Sequence, residues 1–269
     1  GGKELGHKTI DYNEPSEMGF SPVQTTTVNG RRASAAKAFL HRFKDRTNLH
    51  ILPYSRVTKI NIDPTTKTAQ SVEYVRNKLK YTVKARKEII VSAGAFSSPQ
   101  LLMLSGIGPR SHLEELDIPV IQDLMVGRTM YDHVCYPGLI FLLNTTGIGI
   151  TESGFISLRN YFKWVSYGDG PFTLVGGVEG LGYIKTNISE EESEHPDLEF
   201  IFLPGGITSD ASGSVRKGMK ISDELFNHVY GDIVEKECWT IFPMLLNPKS
   251  KGYIKLKDKN PFHWPQFHQ

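Results

Sequence analysis

The sequence has little of what marks several specialised classes of protein. It contains only two cysteines, Cys135 and Cys238, which lie about a hundred positions apart and show no C-x-x-C spacing. This count excludes a disulfide-rich scaffold and a cysteine zinc site, and it leaves open one long-range disulfide. No apolar stretch approaches the roughly 18 residues that a membrane-spanning helix needs, so we expect no membrane span.

The chain also lacks an excess of charge of either sign. Lys and Arg number 31 against 29 Asp and Glu, for a formal net charge of +2. This balance gives no electrostatic reason to expect a nucleic acid or an anionic membrane as partner. The 269 residues, 39% of them hydrophobic, suffice for one large domain or two smaller ones.

The ends of the sequence show neither an initiator Met nor a secretory leader, since "GGKELGHKTI" has no long apolar core. Together with the abrupt end at "WPQFHQ", this predicts a central excerpt of a longer protein.

The first third changes from irregular to periodic. Residues 1–30 are rich in Gly, Pro, Asn and Thr, which predicts irregular loop with one short strand at Val23–Val28. Residues 31–46 show a helical period with an apolar face, made of Ala33, Ala36, Phe39, Leu40 and Phe43.

A period of two follows from residue 49. The stretches "LHILPYSRVTKINID", "AQSVEYV" and "YTVKARKEIIV" read as three strands of a meander, separated by the turn signals Asp63-Pro64 and Asn77-Lys78. Their basic residues alternate with apolar ones, which favours a solvated sheet face over a nucleic-acid patch.

Two short helices are expected after Gly94. Ser98 is placed to cap the first and Pro99 to occupy its first position, with Gly106 ending it. Ser111–Glu114 has the form of a capping box, and the helix it begins should stop before Pro119.

The composition becomes Gly-rich and aromatic beyond Tyr136, so we place a domain boundary at residues 135–140. Strands are predicted at "EGLGYIKT", "LEFIFLP", "CWTIFPMLL" and "GYIKLK", and a helix at "SDELFNHVYGDIV".

The stretch "SAGAFSSPQLLMLSGIG", residues 92–108, carries the strongest functional signal. It is not a Rossmann fingerprint, because "GIGPRS" has Ser111 in place of the third glycine and follows a helix. "GIGITESG" fails in the same way, with Glu152 at that position. The small residues at positions 92–95, after the predicted strand "EIIV", could instead admit a ligand against the backbone or form a plain structural turn.

The same stretch resembles the second signature of the glucose-methanol-choline (GMC) family of flavin oxidoreductases. Further stretches, such as "NGRRASAAKAFL", "NLHILPYSRVTKI", "GPRSHLEELDIPVIQDLMVG" and "IFPMLLNPKSKGYIKL", resemble the insect branch with FAD-dependent glucose dehydrogenases and ecdysone-oxidase-like proteins. The resemblance runs from about Tyr12 to Leu256.

This resemblance implies FAD as the cofactor. Val57, in "SRVTKI", matches the family valine whose main-chain N–H and C=O pair with the adenine edge. Ser92, Ala93 and Gly94 match the loop that passes close to the adenosine part.

Two departures from the family weaken other contacts. Ser97 stands where the family often has Asn before Ser-Pro, and Thr129 stands where it commonly has Asn before Leu-Gln-Asp-His. The C-terminal stretches with the family's catalytic His pair do not occur, nor does its N-terminal G-x-G-x-x-G. We therefore assign no catalytic residue and no metal ligand, and we expect the chain by itself to be inactive.

The expected fold class is α/β, or α+β overall: a partial FAD-binding Rossmann-like domain and a second, mainly antiparallel-sheet substrate domain. Residues 1–30 form an irregular segment on the substrate-domain side, residues 31–135 part of the FAD-binding domain, and residues 136–269 part of the substrate-binding domain.

The resemblance implies that the parent protein oxidises the CH–OH group of an alcohol or sugar by hydride transfer to flavin, with a separate electron acceptor. The alternative is a GMC-like binding or structural protein without catalysis. An α/β hydrolase is disfavoured because the sequence has no G-x-S-x-G. An extracellular location is implied by the insect relatives, whereas the oligomeric state is open.

Overall fold

A computed structural model describes residues 1–14, 18–173, 176–190 and 195–269. The chain divides into two compact units, each built from two segments. Unit 1 comprises Gly1–Arg46 and His133–Asn247, and unit 2 comprises Thr47–Asp132 and Pro248–Gln269.

The division at Asp132 and His133 lies close to the predicted domain boundary. Residues 31–46 group with unit 1 and residues 248–269 with unit 2, which differs from the predicted bounds. The assignment of cofactor and substrate domains stays a prediction.

The described part of the chain mixes helices with mostly antiparallel strands, as the predicted fold class requires. The strands in chain order are β1 (Gly19–Pro22), β2 (Thr27–Val28), β3 (Arg31–Arg32), β4 (Arg56–Ile62), β5 (Ala69–Arg76), β6 (Leu79–Lys84), β7 (Ile107–Gly108), β8 (Gln122–Asp123), β9 (Val134–Cys135), β10 (Leu139–Leu142), β11 (Gly180–Ile184), β12 (Leu198–Leu203), β13 (Cys238–Leu245), β14 (Tyr253–Lys255) and β15 (Gln266–His268). The α-helices are α1 (Gly94–Leu104), α2 (Arg110–Glu115), α3 (Glu152–Phe155), α4 (Leu158–Tyr167), α5 (Ser214–Gly218) and α6 (Asp223–Tyr230).

Unit 1 is built on a six-stranded antiparallel sheet with the order β1-β11-β12-β13-β10, in which β9 also pairs with β13. One face carries aromatic rings, since Phe202 lies 5.9 Å from Phe20 and 6.4 Å from Trp239 between ring centroids. Gly182, opposite Phe20, leaves room for this packing, because a Cβ there would overlap the Phe20 ring. The register places Leu181, Ile201 and Phe242 side by side on the other face.

Unit 2 combines the three-stranded antiparallel meander β4-β5-β6 with helices α1 and α2. Its core lies where the helices meet β14, and its buried members are Met103, Leu113, Ile118, Ile254 and Leu256. Burial of such apolar side chains is the main stabilising contribution to a unit of this size.

The three strands of the meander and the four strands predicted beyond residue 136 are confirmed, although "EIIV" at residues 88–91 is not a strand. Among the described residues no strand pairs with this stretch, so its main chain has no ladder to join. Ile90 accordingly stays 78% exposed.

The predicted helix over residues 31–46 is wrong in its extent. Arg31–Arg32 pairs with β2, and only Ala36–Leu40 and His41–Phe43 form single π-helical and 3₁₀ turns. Part of the apolar face stays in solvent, since Phe39 is 71% exposed, and an unburied amphipathic face does little to stabilise a helix.

The helix starts after Gly94 also differ from the predicted ones. Helix α1 already begins at Gly94, so Pro99 lies inside it, and the Ser98 hydroxyl accepts the N–H of Ala93 at 3.0 Å. Helix α2 shows no capping box at Ser111; the carboxylate of Asp123 accepts the N–H of Arg110 instead, at 3.0 Å.

Other expectations have mixed outcomes. Residues 1–30 contain β1 and β2 in place of a strand at Val23–Val28, and residues 15–17 lie outside the described residues. Cys135 and Cys238 are both free thiols, one exposed and one buried. None of the described helices has the length and apolar character to cross a bilayer.

Candidate cofactor site

Val57 lies in β4, an edge strand of the meander, beside a β-bulge. Val57 is opposite Tyr74 and Lys59 is opposite Glu73, so Thr58 is an additional residue without a counterpart on β5. A bulge of this kind changes which residues of a strand face the neighbouring strand.

The direction of the Val57 main chain follows from the regular register of β5. The N–H of Ile60, opposite Val72, donates to the Ser105 hydroxyl at 2.9 Å and thus points away from β5. In an antiparallel ladder, residues whose main-chain N–H and C=O point toward the partner strand alternate with residues whose groups point away from it. Because Val72 points away from β4, the main-chain groups of Glu73 point toward β4 and those of Tyr74 point away from it. Val57, opposite Tyr74, therefore turns its N–H and C=O to the outer edge of the sheet.

The Thr58 hydroxyl supports this geometry. It donates to the carbonyl of Glu73 at 3.4 Å, as expected if that carbonyl faces β4. The bulge thus places a main-chain donor and acceptor of one residue side by side at an edge with which no described strand pairs.

Ala93 lies next to the same edge of the sheet. It precedes α1, and its N–H is held by the Ser98 hydroxyl. Val57 and Ala93 both line a cavity of about 250 Å³, together with Ser97, Gln100, Leu101 and Pro261.

Ser92 and Gly94 flank Ala93 and are exposed. Gly94 has a φ of +85°, a conformation that favours glycine, and a Cβ there would meet nothing within 4 Å. A glycine is therefore favoured here by the bend of the chain into α1 and not by crowding, since the space around it is open.

A polar clamp that the sequence did not reveal forms one wall of the cavity. The Arg56 guanidinium donates to the Gln100 side chain and to the Pro261 carbonyl, both at 3.1 Å. Gln100, only 3% exposed, donates in turn to the carbonyl of His263 at 2.7 Å. The only sequence signal was the position of Gln100 within the apolar run "PQLLMLS".

These residues fit the adenine end of FAD. An outward N–H and C=O on one residue match the neighbouring acceptor and donor of an adenine edge, and the Val57 side chain, 37% exposed, offers an apolar surface to a ring. The residues that would hold the base are Val57 through its main chain and Ala93 by contact.

Among the described residues, His263 Nδ1 and Asp258 Oδ2 lie 2.7 Å apart, and we assign no catalytic role to this exposed pair. No group of three or more His, Cys, Asp or Glu side chains there is arranged to hold a metal ion. His112 is 6% exposed, and burial lowers its pKa, which favours the neutral imidazole. Its Nε2 accepts the N–H of Leu256 at 3.0 Å, which is a structural role.

Comparisons with known proteins identify relatives of this chain. The sequence profile of a family described as GMC oxidoreductase matches residues 1–135. The chain is 31% identical over 268 residues to glucose dehydrogenase (FAD, quinone) of Drosophila melanogaster and 33% identical over 267 residues to ecdysone oxidase of Bombyx mori. It is 36% identical over 282 residues to oxygen-dependent choline dehydrogenase of Pseudomonas fluorescens.

Each of these alignments covers 98% of this chain but only 40%, 38% and 43% of the respective relative. Among solved structures, formate oxidase shares the fold with a TM-score of 0.75 at 22% identity, over 98% of this chain and 46% of that one. Pyridoxine 4-oxidase from Mesorbium loti gives a TM-score of 0.70 at 20% identity, over 99% and 44%.

Proposed function

The chain belongs to the GMC oxidoreductase family, and on that premise we propose that it forms part of an FAD-dependent oxidoreductase acting on the CH–OH group of an alcohol or sugar. It spans about 40% of the length of the curated relatives it matches. Unit 2 contributes to FAD binding, and unit 1 to substrate binding.

The observation that carries the proposal is the outward main chain of Val57 beside the cavity shared with Ala93. An adenine ring that enters this cavity meets the N–H donor and the C=O acceptor of Val57 at fixed positions on the sheet edge. Ser92 and Gly94 belong to the same bend and line the path of the adenosine part.

Oxidation of a CH–OH group to C=O removes a hydride equivalent from carbon and a proton from the hydroxyl oxygen. FAD, when bound, supplies the acceptor of the hydride equivalent. The residues of this chain bind and orient the adenine end; none of them is assigned the role of base.

The test uses the natural polypeptide that carries this sequence, with Val57→Pro as the variant. Proline removes the N–H that we propose donates to adenine. It is tolerated in an edge strand at a position whose N–H takes no part in the ladder. Thr82→Pro is the matched control, because Thr82, opposite Glu73, lies at an outward position of β6, the other edge strand.

We expect Val57→Pro to weaken FAD binding about five- to tenfold, the equivalent of one hydrogen bond, whereas Thr82→Pro leaves it unchanged. FMN, which lacks the adenosine half, provides a second measurement, since its affinity should not respond to either variant. Equal FAD affinity of the two variants, with both folded by circular dichroism, would refute the role of Val57.

Catalysis is tested separately by adding alcohols and sugars to the flavin-loaded protein without oxygen. Loss of the oxidised flavin absorbance with any of them supports the oxidoreductase. If the protein binds FAD but no alcohol or sugar reduces the bound flavin, the result supports the alternative of a non-catalytic GMC-like protein.

The electron acceptor and the location complete the proposal. The relatives' names include both quinone and oxygen as acceptors, so reoxidation of the reduced flavin by each should be compared. We place the protein outside the cell on the resemblance to the insect branch, and its recovery from medium or from lysate checks this.

A further inference from the structure

Unit 1 contains a larger cavity, of about 740 Å³, on one face of its sheet. Ile201, Leu203 and Phe242 form its floor, and they share this face by register. Phe155 and Val215 lie in its walls, so most of the lining is apolar.

Three of the polar side chains at the cavity are already bonded to the protein's own main chain. Glu152 accepts the N–H of Ser212 at 2.6 Å, and Asp210 accepts the N–H of Val215 at 2.5 Å. The Ser209 hydroxyl, 8% exposed, accepts the N–H of Gly206 at 3.0 Å. A ligand in the cavity thus finds few groups whose hydrogen bonding depends on it.

This arrangement discriminates between classes of alcohol. A free sugar would leave water with several hydroxyls that the apolar lining cannot satisfy, and each unpaired polar group opposes binding. An alcohol with an apolar chain or ring gains instead from removal of its surface from water.

Choline, a cationic alcohol, is the competing candidate because two carboxylates lie at the cavity. The two carboxylates at the cavity, Glu152 and Asp210, accept main-chain N–H groups, which favour their ionised form and fix their orientation. Asp210 also accepts the N–H of Arg216, at 3.3 Å.

We propose that this cavity holds the apolar chain or ring of the substrate and that the substrate is an apolar alcohol rather than a free sugar. The inference rests on the proposed function, because it gives that function its substrate class.

Binding is tested by calorimetric titration of the natural polypeptide with 1-octanol, D-glucose and choline. The variant is Val215→Asn, which places an amide in the wall at a residue already 45% exposed and so compatible with folding. Val229→Asn is the matched control, since Val229 is 53% exposed on α6 and does not line the cavity.

We expect 1-octanol to bind more tightly than glucose or choline, and Val215→Asn to weaken its binding about fivefold while Val229→Asn does not. Equal effects of the two variants, or tighter binding of glucose or choline, would overturn the inference.

The titration does not depend on flavin, which separates this inference from the proposed function. Flavin reduced by glucose but not by 1-octanol contradicts the substrate class and leaves the oxidoreductase intact. A protein that binds no flavin contradicts the oxidoreductase, and the octanol titration still decides what the cavity accepts.

Discussion

The hydroxyl of Ser105 joins the end of α1 to the outer edge of β4 by accepting the N–H of Ile60 at 2.9 Å. It also donates to the carbonyl of Leu101 at 2.6 Å. Ser105 and Ile60 are 2% and 3% exposed. A single side chain therefore satisfies a buried amide of the strand next to the candidate cofactor site.

Ser105→Ala should lower the free energy of unfolding by about 1–3 kcal/mol, because the Ile60 N–H stays buried without a partner. Ser111→Ala is the control: Ser111 is exposed and caps nothing, so its change should stay within about 0.5 kcal/mol. Urea denaturation measures both, and similar losses for the two variants would contradict the role of Ser105.

Gln100→Ala should release the segment from Asp258 to His263, since it removes the bonds to Arg56 and to the His263 carbonyl. Amide hydrogen exchange in that segment should become faster, and stability should fall by about 1–3 kcal/mol. Gln70→Ala, at an exposed position of β5, should change neither.

Glu237 holds the loop at Gly147–Gly149 through three main-chain amides, at 2.7, 3.0 and 2.9 Å. These bonds keep its pKa below the usual value. Because the folded pKa is the lower one, the stabilisation is complete above the unfolded pKa of 4.5 and disappears as the pH falls through the folded value.

Glu237→Gln should accelerate hydrogen exchange at Gly147–Gly149 at neutral pH. The side-chain NH₂ of glutamine would then face a main-chain N–H and could not accept a hydrogen bond from it. Wild type should show the same acceleration only in acid, after correction for intrinsic rates. Glu235→Gln, at an exposed position two residues earlier, serves as the control. Unchanged protection in Glu237→Gln would show that the loop is held by other contacts.

Burial lowers the pKa of His112, partly offset by its contact with Glu115. As the pH falls, His112 therefore takes up its proton at a higher pH in the unfolded chain than in the folded one. Its contribution to stability is complete above about pH 6.5 and declines as the pH falls from there to the folded pKa. His112→Gln should flatten the dependence of the unfolding free energy on pH below about 6.5. The exposed His50→Gln should leave that dependence as in wild type.

The sequence predicted the elements whose pattern is local. The strands at Ala69–Arg76 and Cys238–Leu245 are rich in β-branched and aromatic residues, and helix α6 begins where Ser222 accepts the N–H of Leu225. Helix α4 was missed although it has the same signals, a Ser157 cap and Gly168 with a φ of +65° at its end.

The remaining features depend on contacts between distant residues, which no local pattern encodes. Ser111 fits a capping box in sequence, yet Asp123 supplies the oxygen at that helix end. Val57 was identified by resemblance alone, and Ala93 by resemblance added to a small-residue bend that could equally be a structural turn. Neither the bulge at Thr58 nor the Gln100 clamp has a local signature. Their role toward the cofactor stays a proposal.

The unmatched position of Thr58 also bears on how this segment tolerates changes in length. Deletion of Thr58 would leave Val57 opposite Tyr74 and Lys59 opposite Glu73, so the pairing of β4 with β5 would survive. Loss of Lys59 instead would force Thr58 into its place in the ladder. Chains one residue shorter at Thr58 can therefore keep the same amide turned outward, and an alignment gap at this point is no sign that the edge has been lost.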